Sequence, residues 1–336
     1  STPSVSREEQ AAADIIENFL KARGCTTQRC GNNVWTIAPG YSHERPTLLL
    51  NSHIDTVRPV DGWTCNPFSP DDDGERIYGL GSNDAGASVV SLTAAFLLLS
   101  QRQQRYNLVF LASCEEEVSG KGGIEAVLPL LPKIDVALVG EPTGMHPAVA
   151  EKGLMVLDGE IAGKSGHAAR DEGENAIYKA LPMIERLRSL SFPLTSAHLG
   201  PVKISVTQIS AGTQHNVVPD MCRIVVDVRT TDAYTNEQTL EMIRQAVPFC
   251  KLTPRSVRLR PSGISEQHPI VRRLVIAGRK PFGSPTLSDQ ALMPFPSLKI
   301  GPGESARSHT ADEYITYDEI REAIQIYFTT LDGLAL

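Results

Sequence analysis

Apolar runs that end in polar or charged residues constrain the fold of this chain more than any other feature of its sequence. The run at 47–50 leads directly into Asn51-Ser52-His53-Ile54-Asp55. Similar runs lie at 34–37, 107–112 and 136–139. A helical pattern at 87–100 follows the run at 47–50, and another at 123–131 follows the run at 107–112. Strands that alternate with helices predict an α/β sheet. Ligand sites in such sheets gather at the carboxyl ends of the strands.

The pattern changes in the middle of the chain, which predicts a second domain. Segment 154–263 has the order β-α-β-β-α-β and can bury its own core as one sheet with two helices. After it, a strand-like run at 297–300 and a helix at 317–331 resume the first pattern. We therefore predict one domain from 1–153 and 264–336, and an inserted ferredoxin-like α+β domain at 154–263.

The charge balance argues against a nucleic acid or membrane partner. The 336 residues include 32 Lys+Arg and 39 Asp+Glu, and no basic block is present. No stretch approaches the roughly 20 apolar residues of a membrane span. The 6 cysteines have no Cys-x-x-Cys spacing, which predicts reduced thiols. We expect a cytoplasmic protein that acts on a small molecule.

The first helix is predicted to begin at a capping box. Ser6-Arg7-Glu8-Glu9 places a serine three residues before a glutamate, and an apolar helical pattern follows up to Ala22. In such a box the side chain of Ser6 accepts the backbone N–H of Glu9, and the side chain of Glu9 accepts the backbone N–H of Ser6.

Five potential metal ligands are placed at or after the ends of apolar runs. They are His53, Asp84, Glu116, Glu141 and His309. Two imidazoles and three carboxylates exceed the roughly four ligands of one tetrahedral zinc, which favours two ions about 3.5–4 Å apart that share a carboxylate. Asp84 lies in a glycine-flanked loop and is the expected shared ligand.

The neighbours of these ligands are assigned supporting roles. Adjacent strand residues point to opposite faces, so we assign Glu116 as a ligand and Glu115 as the general base of an amide hydrolysis. Asp55 is expected to accept the second N–H of His53. A His-x-Asp pair alone is usually structural, and a run of glutamates is usually a solvated surface. The shared position at strand ends favours the metal site.

Five motifs together resemble the M20 family of metallopeptidases and deacylases, within it the acetylornithine deacetylase and succinyl-diaminopimelate desuccinylase branch. The motifs are SHIDTV (52–57), GLGSNDAG (79–86), EEE (115–117), GEPT (140–143) and SHTADE (308–313). The resemblance covers nearly the whole chain. It implies a zinc-peptidase-like catalytic domain with a mixed central sheet flanked by helices, and a cis peptide bond between Asp84 and Ala85.

The resemblance also implies a ligand scheme for two divalent ions. His53, Asp84 and Glu141 would hold one ion, and Asp84, Glu116 and His309 the other. Glu115 is the implied base. We expect zinc, with cobalt or manganese as alternatives that the same ligands accept.

The inserted domain carries motifs of its own, among them GKSGHAA (163–169). In relatives this histidine stabilises the oxyanion in the active site of the partner subunit, so the resemblance implies a catalytic His167 and a lid domain that forms a homodimer. Asn216 and Arg229 match substrate-binding positions, and Arg229 would bind an α-carboxylate. The alternative is that His167 and Arg229 are ordinary surface residues.

The predicted activity is removal of the Nα-acyl group from an acyl-amino acid of arginine or lysine metabolism, with N-acetylornithine as the first candidate. The alternatives are N-acetyl- or N-succinyl-citrulline or -ornithine, succinyl-diaminopimelate, and the substrates of an M20 dipeptidase or aminotripeptidase. A catalytically silent binding protein is a third class. The complete ligand set and the adjacent base argue against that class.

Overall fold

The computed structural model describes residues 2–336. The helices are α1 (Gln10–Ala22), α2 (Ala87–Ser100), α3 (Ile124–Val127), α4 (Ala176–Ser189), α5 (Asn236–Ala246), α6 (Pro269–Ile276) and α7 (Tyr317–Leu331). The strands are β1 (Thr27–Cys30), β2 (Asn33–Ile37), β3 (Thr47–His53), β4 (Asp71–Asp72), β5 (Arg76–Tyr78), β6 (Asn107–Ser113), β7 (Val136–Val139), β8 (Ala148–Glu151), β9 (Gly153–Ala162), β10 (Lys203–Ala211), β11 (Met221–Thr230), β12 (Lys251–Pro254), β13 (Ser262–Gly263), β14 (Phe282–Ser284), β15 (Ser297–Lys299) and β16 (Tyr314–Thr316).

The chain forms two compact units. Unit 1 comprises the chain up to Val149 together with Gly263–Phe282 and Ser288–Leu336, and unit 2 comprises Ala150–Ser262 and Gly283–Leu287. The second unit therefore begins at Ala150, before the predicted residue 154. It also includes Gly283–Leu287, which the sequence prediction placed in the first domain. A backbone hydrogen bond explains this inclusion, because Lys152 N donates to Ser284 O at 3.2 Å. Backbone pairing of this kind leaves no signal in side-chain patterns.

The central sheet of unit 1 is mixed and flanked by helices, as predicted. Its strands follow the order β1-β2-β6-β3-β7-β15-β8. The inner strands β6, β3, β7 and β15 are parallel to one another. The strands β1, β2 and β8 join antiparallel toward the edges.

Both faces of this sheet are buried. Leu48 and Leu50 of β3 belong to the core that contains α2 and α7, and Leu49 belongs to the core on α3. A strand buried on both faces is apolar at successive positions, which explains the unbroken apolar run at 48–50. Polar residues begin near the end of β3, where the site described below lies.

Replacing Leu50 by Ala is expected to lower the free energy of unfolding by about 2–5 kcal/mol, because a cavity remains where the side chain was. Leu50 is 0% exposed. Urea denaturation measures the change. Leu98→Ala is the matched control, since Leu98 is 43% exposed and surface changes stay within about 0.5 kcal/mol. Equal effects of the two substitutions would contradict this placement of Leu50.

Helix α2 is the most apolar helix of unit 1. With the turn before it, the segment Ser82–Ser100 is long and apolar enough to cross a membrane by length and composition. The sequence prediction found no such stretch, because Ser91, Thr93 and Ser100 interrupt it. Most of the segment is buried inside the structure, as expected for a core helix.

Unit 2 has the predicted ferredoxin-like order of elements. Its antiparallel sheet has the strand order β10-β11-β9-β12. Alternate residues of β9 are buried, and they share one core with the apolar faces of α4 and α5. Alternation is expected when one face of a sheet is covered and the other is open.

The predicted capping box is wrong. Helix α1 begins at Gln10, and the N-cap residue Glu9 makes no side-chain capping hydrogen bond. Arg7 has a φ of 76°, so the chain turns before the helix and directs Ser6 and Glu9 elsewhere. Their contacts are described below.

Candidate metal centre

Strand ends bring the candidate ligands of unit 1 together. His53 is the last residue of β3 and lies in register with Ser113 at the end of β6. The parallel neighbour β7 ends at Val139, just before Gly140 and Glu141. Because the carboxyl ends of parallel strands lie at one edge of a sheet, side chains that follow them converge.

His53, Asp84 and Glu141 form the first group of donor atoms. His53 Nε2 lies 3.2 Å from Asp84 Oδ1 and 3.5 Å from Glu141 Oε1. The ligand atoms of all three residues lie within 4.8 Å of one another. These are the residues assigned to one ion by the sequence, and the structure brings them together.

Asp84, Glu117 and His309 form a second group with the same 4.8 Å spacing. His309 Nε2 lies 3.1 Å from Glu117 Oε2 and 3.8 Å from Asp84 Oδ2. Asp84 therefore directs Oδ1 to the first group and Oδ2 to the second. This is the geometry expected of a carboxylate shared by two ions.

The structure corrects the predicted placement of the three adjacent glutamates. The partner of His309 is Glu117 and not Glu116. Glu115, the predicted base, points away from both groups, and its Oε2 accepts a hydrogen bond from Gly122 N at 3.3 Å. The cause is the backbone, because Glu115 has a φ of 56° in the left-handed region. The strand therefore ends before Glu115, and the next two carboxylates face the donor groups.

Glu116 lies beside the first group without being its closest carboxylate. Its Oε2 is 4.0 Å from His53 Nε2, and its side chain is 10% exposed. Donor atoms of Glu116, Glu117 and His53 also lie within 4.8 Å of one another. Glu116 thus lies close to both donor groups and is the nearest carboxylate of neither His53 nor His309.

Asp55 supports both His53 and the glutamate turn. His53 Nδ1 lies 2.9 Å from the backbone oxygen of Asp55 and 3.4 Å from its carboxylate. The carboxylate oxygens accept hydrogen bonds from Glu116 N at 3.0 Å and Glu117 N at 3.1 Å. The predicted contact with His53 is therefore made mainly by the backbone, and the carboxylate of Asp55 fixes the turn.

Glu313 holds the turn that contains Asp84, a role that the sequence analysis did not assign. Its carboxylate accepts hydrogen bonds from Gly81 N, Asn83 N and Asp84 N at 3.0, 2.9 and 2.8 Å. The Asp84–Ala85 peptide bond is cis, as the resemblance predicts. The motif SHTADE contained Glu313, but a single sequence does not show which backbone groups a carboxylate binds.

The electrostatics of the cluster fit divalent cations. Burial raises the pKa of Glu116 and of Glu141 well above the usual range, and neighbouring carboxylates add to both shifts. Burial also raises the pKa of Asp289, which accepts a hydrogen bond from Ser113, to about 6. Glu141 Oε1 is buried without a hydrogen-bond partner among residues 2–336. Cations would satisfy both the crowded charge and this oxygen.

The predicted residues of unit 2 lie in two loops and a strand of that unit. His167 is exposed, and its loop joins the loop of Asn216 through a hydrogen bond from Ala168 N to Asn216 O at 3.0 Å. Arg229 donates from Nε and Nη2 to both carboxylate oxygens of Asp227 at 2.9 and 3.1 Å. A substrate carboxylate would have to compete with Asp227 for this guanidinium.

Comparison with known sequences identifies similar proteins along most of the chain. The model of Peptidase family M20/M25/M40 matches residues 49–333. Succinyl-diaminopimelate desuccinylase from Dinoroseobacter shibae is 30% identical over 72% of this chain and 68% of its own length. Acetylornithine deacetylase from Myxococcus xanthus is 30% identical over 86% of this chain and 80% of its own length.

Solved structures with the same fold are more distant in sequence. The aminopeptidase PepT from Bacillus cereus has a TM-score of 0.79 at 18% identity and covers 99% of this chain, with 95% of its own length matched. The YXEP protein from Bacillus subtilis, described as a dinuclear metal-binding peptidase of family M20, has a TM-score of 0.72 at 17% identity. That match covers 98% of this chain and 95% of the YXEP chain. At these identities the likeness concerns the fold.

Proposed function

Because the chain belongs to peptidase family M20/M25/M40 and is a metal-dependent hydrolase, we propose that it removes the Nα-acyl group from an acyl-amino acid, with N-acetylornithine as the first candidate. The observation that carries this proposal is the shared Asp84. Its two oxygens face two separate groups of donors, and Glu116 lies beside them. Two bound ions and a nearby carboxylate base are the groups that metal-dependent hydrolysis of an amide bond requires.

Two divalent ions, proposed to be zinc, would be held by the two donor groups. His53, Asp84 and Glu141 would hold one ion, and Asp84, Glu117 and His309 the other. When bound, such ions polarise a carbonyl group and lower the pKa of an attacking water. The chain's own contribution is to hold the donors in place through Asp55 and Glu313.

Glu116 is the proposed general base in place of Glu115. Its Oε2 lies 4.0 Å from His53 Nε2, and Glu116 is the nearest carboxylate of neither histidine, so it is free to accept a proton from the attacking water and return it to a leaving nitrogen. The hydrogen bond from its own N–H to Asp55 fixes its backbone. The carboxyl group can then turn toward the reacting atoms without movement of the main chain.

The acyl group and the amino acid are proposed from relatives and from residue chemistry. Relatives named acetylornithine deacetylase are 27% and 30% identical to this chain, and relatives named succinyl-diaminopimelate desuccinylase are 26% to 32% identical, so identity does not separate the two substrate classes. We keep Arg229 and Asn216 as proposed substrate-binding residues and His167 as the proposed oxyanion donor. An arginine is suited to a carboxylate through two parallel hydrogen bonds.

An assay of the purified protein with added Zn²⁺ or Co²⁺ tests this proposal. The panel contains N-acetylornithine, N-acetylcitrulline, their N-succinyl counterparts, succinyl-diaminopimelate and simple dipeptides. We expect the highest kcat/KM with N-acetylornithine and measurable turnover of other acyl-amino acids. Cleavage of the dipeptides alone would replace the deacylase with a dipeptidase of the same family.

We also propose that unit 2 forms a homodimer through β10 and α4. Strand β10 is at one edge of its sheet, and α4 packs beside it. Ile209 of β10, Tyr178 and Leu181 are 56%, 71% and 58% exposed. Apolar side chains beside an open strand edge favour pairing with another chain, and a second copy would supply the same edge.

The substitution Ile209→Lys is expected to convert the dimer into a monomer, because a charge at the strand edge opposes pairing. Light scattering after size-exclusion chromatography gives the mass of each species. Phe249→Lys is the matched control, since Phe249 is 77% exposed but follows α5 and precedes β12, the opposite edge strand. A wild-type monomer would remove the dimer proposal, and a dimeric Ile209→Lys variant would remove this interface.

A further inference from the structure

The two residues of the expected capping box contact the back of the candidate metal centre. Ser6 Oγ donates a hydrogen bond to Asp55 Oδ2 at 2.7 Å. The same oxygen accepts the N–H of Glu117 at 3.1 Å. Ser6 therefore binds the carboxylate that fixes the glutamate turn, although it is far from that turn in sequence.

Glu9 reaches the same turn from its other end. Its Oε1 accepts hydrogen bonds from Glu115 N at 3.2 Å and Arg7 N at 2.5 Å, and its Oε2 accepts one from Asn32 Nδ2 at 2.9 Å. Glu9 is 0% exposed. A buried carboxylate at a helix start that binds no N–H of the first helical turn has a function other than capping.

The backbone at residues 4–6 is hydrogen-bonded to Thr56, just after His53 in the chain. Ser6 N donates to Thr56 O at 3.1 Å, and Thr56 N donates to Ser4 O at 2.9 Å. Val5 and Thr56 form a parallel bridge. The segment 4–9 is thus held against the end of β3 at one point and against the start of the glutamate turn at another.

We propose that Ser6 and Glu9 are positioning residues of the metal centre, which set the orientation of Asp55 and of the 115–117 turn. This inference rests on the proposed function, because it assumes that Glu117 and His53 bind ions. Ser6 limits rotation of the Asp55 carboxylate, and Glu9 fixes the N–H of Glu115. Together they determine where the carboxylates of Glu116 and Glu117 point.

Loss of either contact is expected to weaken ion binding. Residues that hydrogen-bond a metal ligand directly usually contribute 10–100-fold in metal affinity or activity. Ser6 and Glu9 act one contact further out, through Asp55 and the backbone of Glu115, so we expect effects near the lower end of that range. Ser6→Ala removes the hydroxyl and leaves the Asp55 carboxylate with one donor fewer. Glu9→Gln keeps the shape but replaces one of two acceptor oxygens with a donor, so at least one of the three N–H donors around it loses its partner.

The test uses Co²⁺ as the probe and does not depend on turnover. Titration of the ion-free 336-residue chain gives the Co²⁺ dissociation constants, and the visible absorption spectrum reports the ligand geometry. Ser6→Thr retains the hydroxyl and should restore wild-type values. Glu8→Gln is the matched control, because Glu8 is exposed and lies between the two proposed residues. Thermal unfolding of the ion-free variants separates loss of stability from loss of binding.

We expect the Co²⁺ dissociation constants of Ser6→Ala and Glu9→Gln to rise by about 10-fold or more, with an altered spectrum. Constants within about twofold of wild type and an unchanged spectrum would overturn the inference, even if the melting temperature fell. If Ser6→Ala does not fold, Glu9→Gln is judged by the same criteria. A wild-type protein that binds no Co²⁺ would instead overturn the proposed metal centre itself.

Discussion

Glu116→Gln is expected to lower kcat by about 10²–10⁴-fold, the usual contribution of a general base, while the protein keeps its ions. Glutamine has the same shape but cannot accept the proton of the attacking water. Glu116 lies 4.0 Å from His53 Nε2 but is not the carboxylate nearest to either histidine. Steady-state kinetics gives the loss, and metal analysis of the same sample shows the ion content.

Glu115→Gln is the matched control for this experiment. Its carboxylate accepts a hydrogen bond from Gly122 N and lies 4.0 Å from Arg7 Nε, so turnover is expected to stay near the wild-type rate. The reverse result, an inactive Glu115→Gln and an active Glu116→Gln, would restore the assignment made from sequence. The pair of variants therefore decides which glutamate transfers the proton.

Asp84→Asn is expected to weaken the binding of both ions and to lower kcat/KM by more than about 100-fold, since outer partners of ligands alone contribute up to that amount. The reason is that Oδ1 faces His53 and Oδ2 faces His309. Isothermal titration with Co²⁺ measures both sites.

Two further variants serve as controls for the shared ligand. Glu141 and Glu117 each belong to one of the two donor groups that contain Asp84. Glu141→Gln should therefore weaken mainly one site, and Glu117→Gln mainly the other. If Asp84→Asn affected a single site and left the second unchanged, Asp84 would not be a shared ligand.

The sheet and the first donor group could be predicted because local patterns determine them. An unbroken apolar run at 48–50 specifies a strand that is buried on both faces. His53 is the last residue of that strand, so its place at the edge of the sheet could be predicted as well. Helix α7 has the bounds predicted from its apolar spacing, Tyr317–Leu331. In such segments the local sequence and the tertiary packing favour the same structure.

The sequence could not show which of the three adjacent glutamates faces the donor groups and which turns away, because three identical residues give no pattern. The assignment depends on the residue at which the chain leaves the strand, and that residue is Glu115 with its φ of 56°. Nearby glycines provide one usable signal. A Cβ at Gly120 would lie 1.9 Å from Glu115 Oε2, so this glycine makes room for a side chain that turns away from the centre.

The capping box failed for a different reason. Ser6 and Glu9 have the spacing of the motif, but contacts with Asp55 and Glu115 prevail over the local alternative. These partners are 49 and 106 residues away in sequence. A window of a few residues cannot contain such information.

The contacts of Glu313 have a consequence for synthesis of the protein. Glu313 braces the Asp84 turn across 229 residues, and His309 belongs to the same short segment. Because chains emerge from the ribosome starting at the N-terminus, His53, Asp84, Glu117 and Glu141 are made well before that segment. A nascent chain therefore carries several acidic donors before Glu313 can hold the Asp84 turn and before His309 is present. Binding of the proposed ions at the complete centre would then be a late step of maturation, after the whole of unit 2 has been translated.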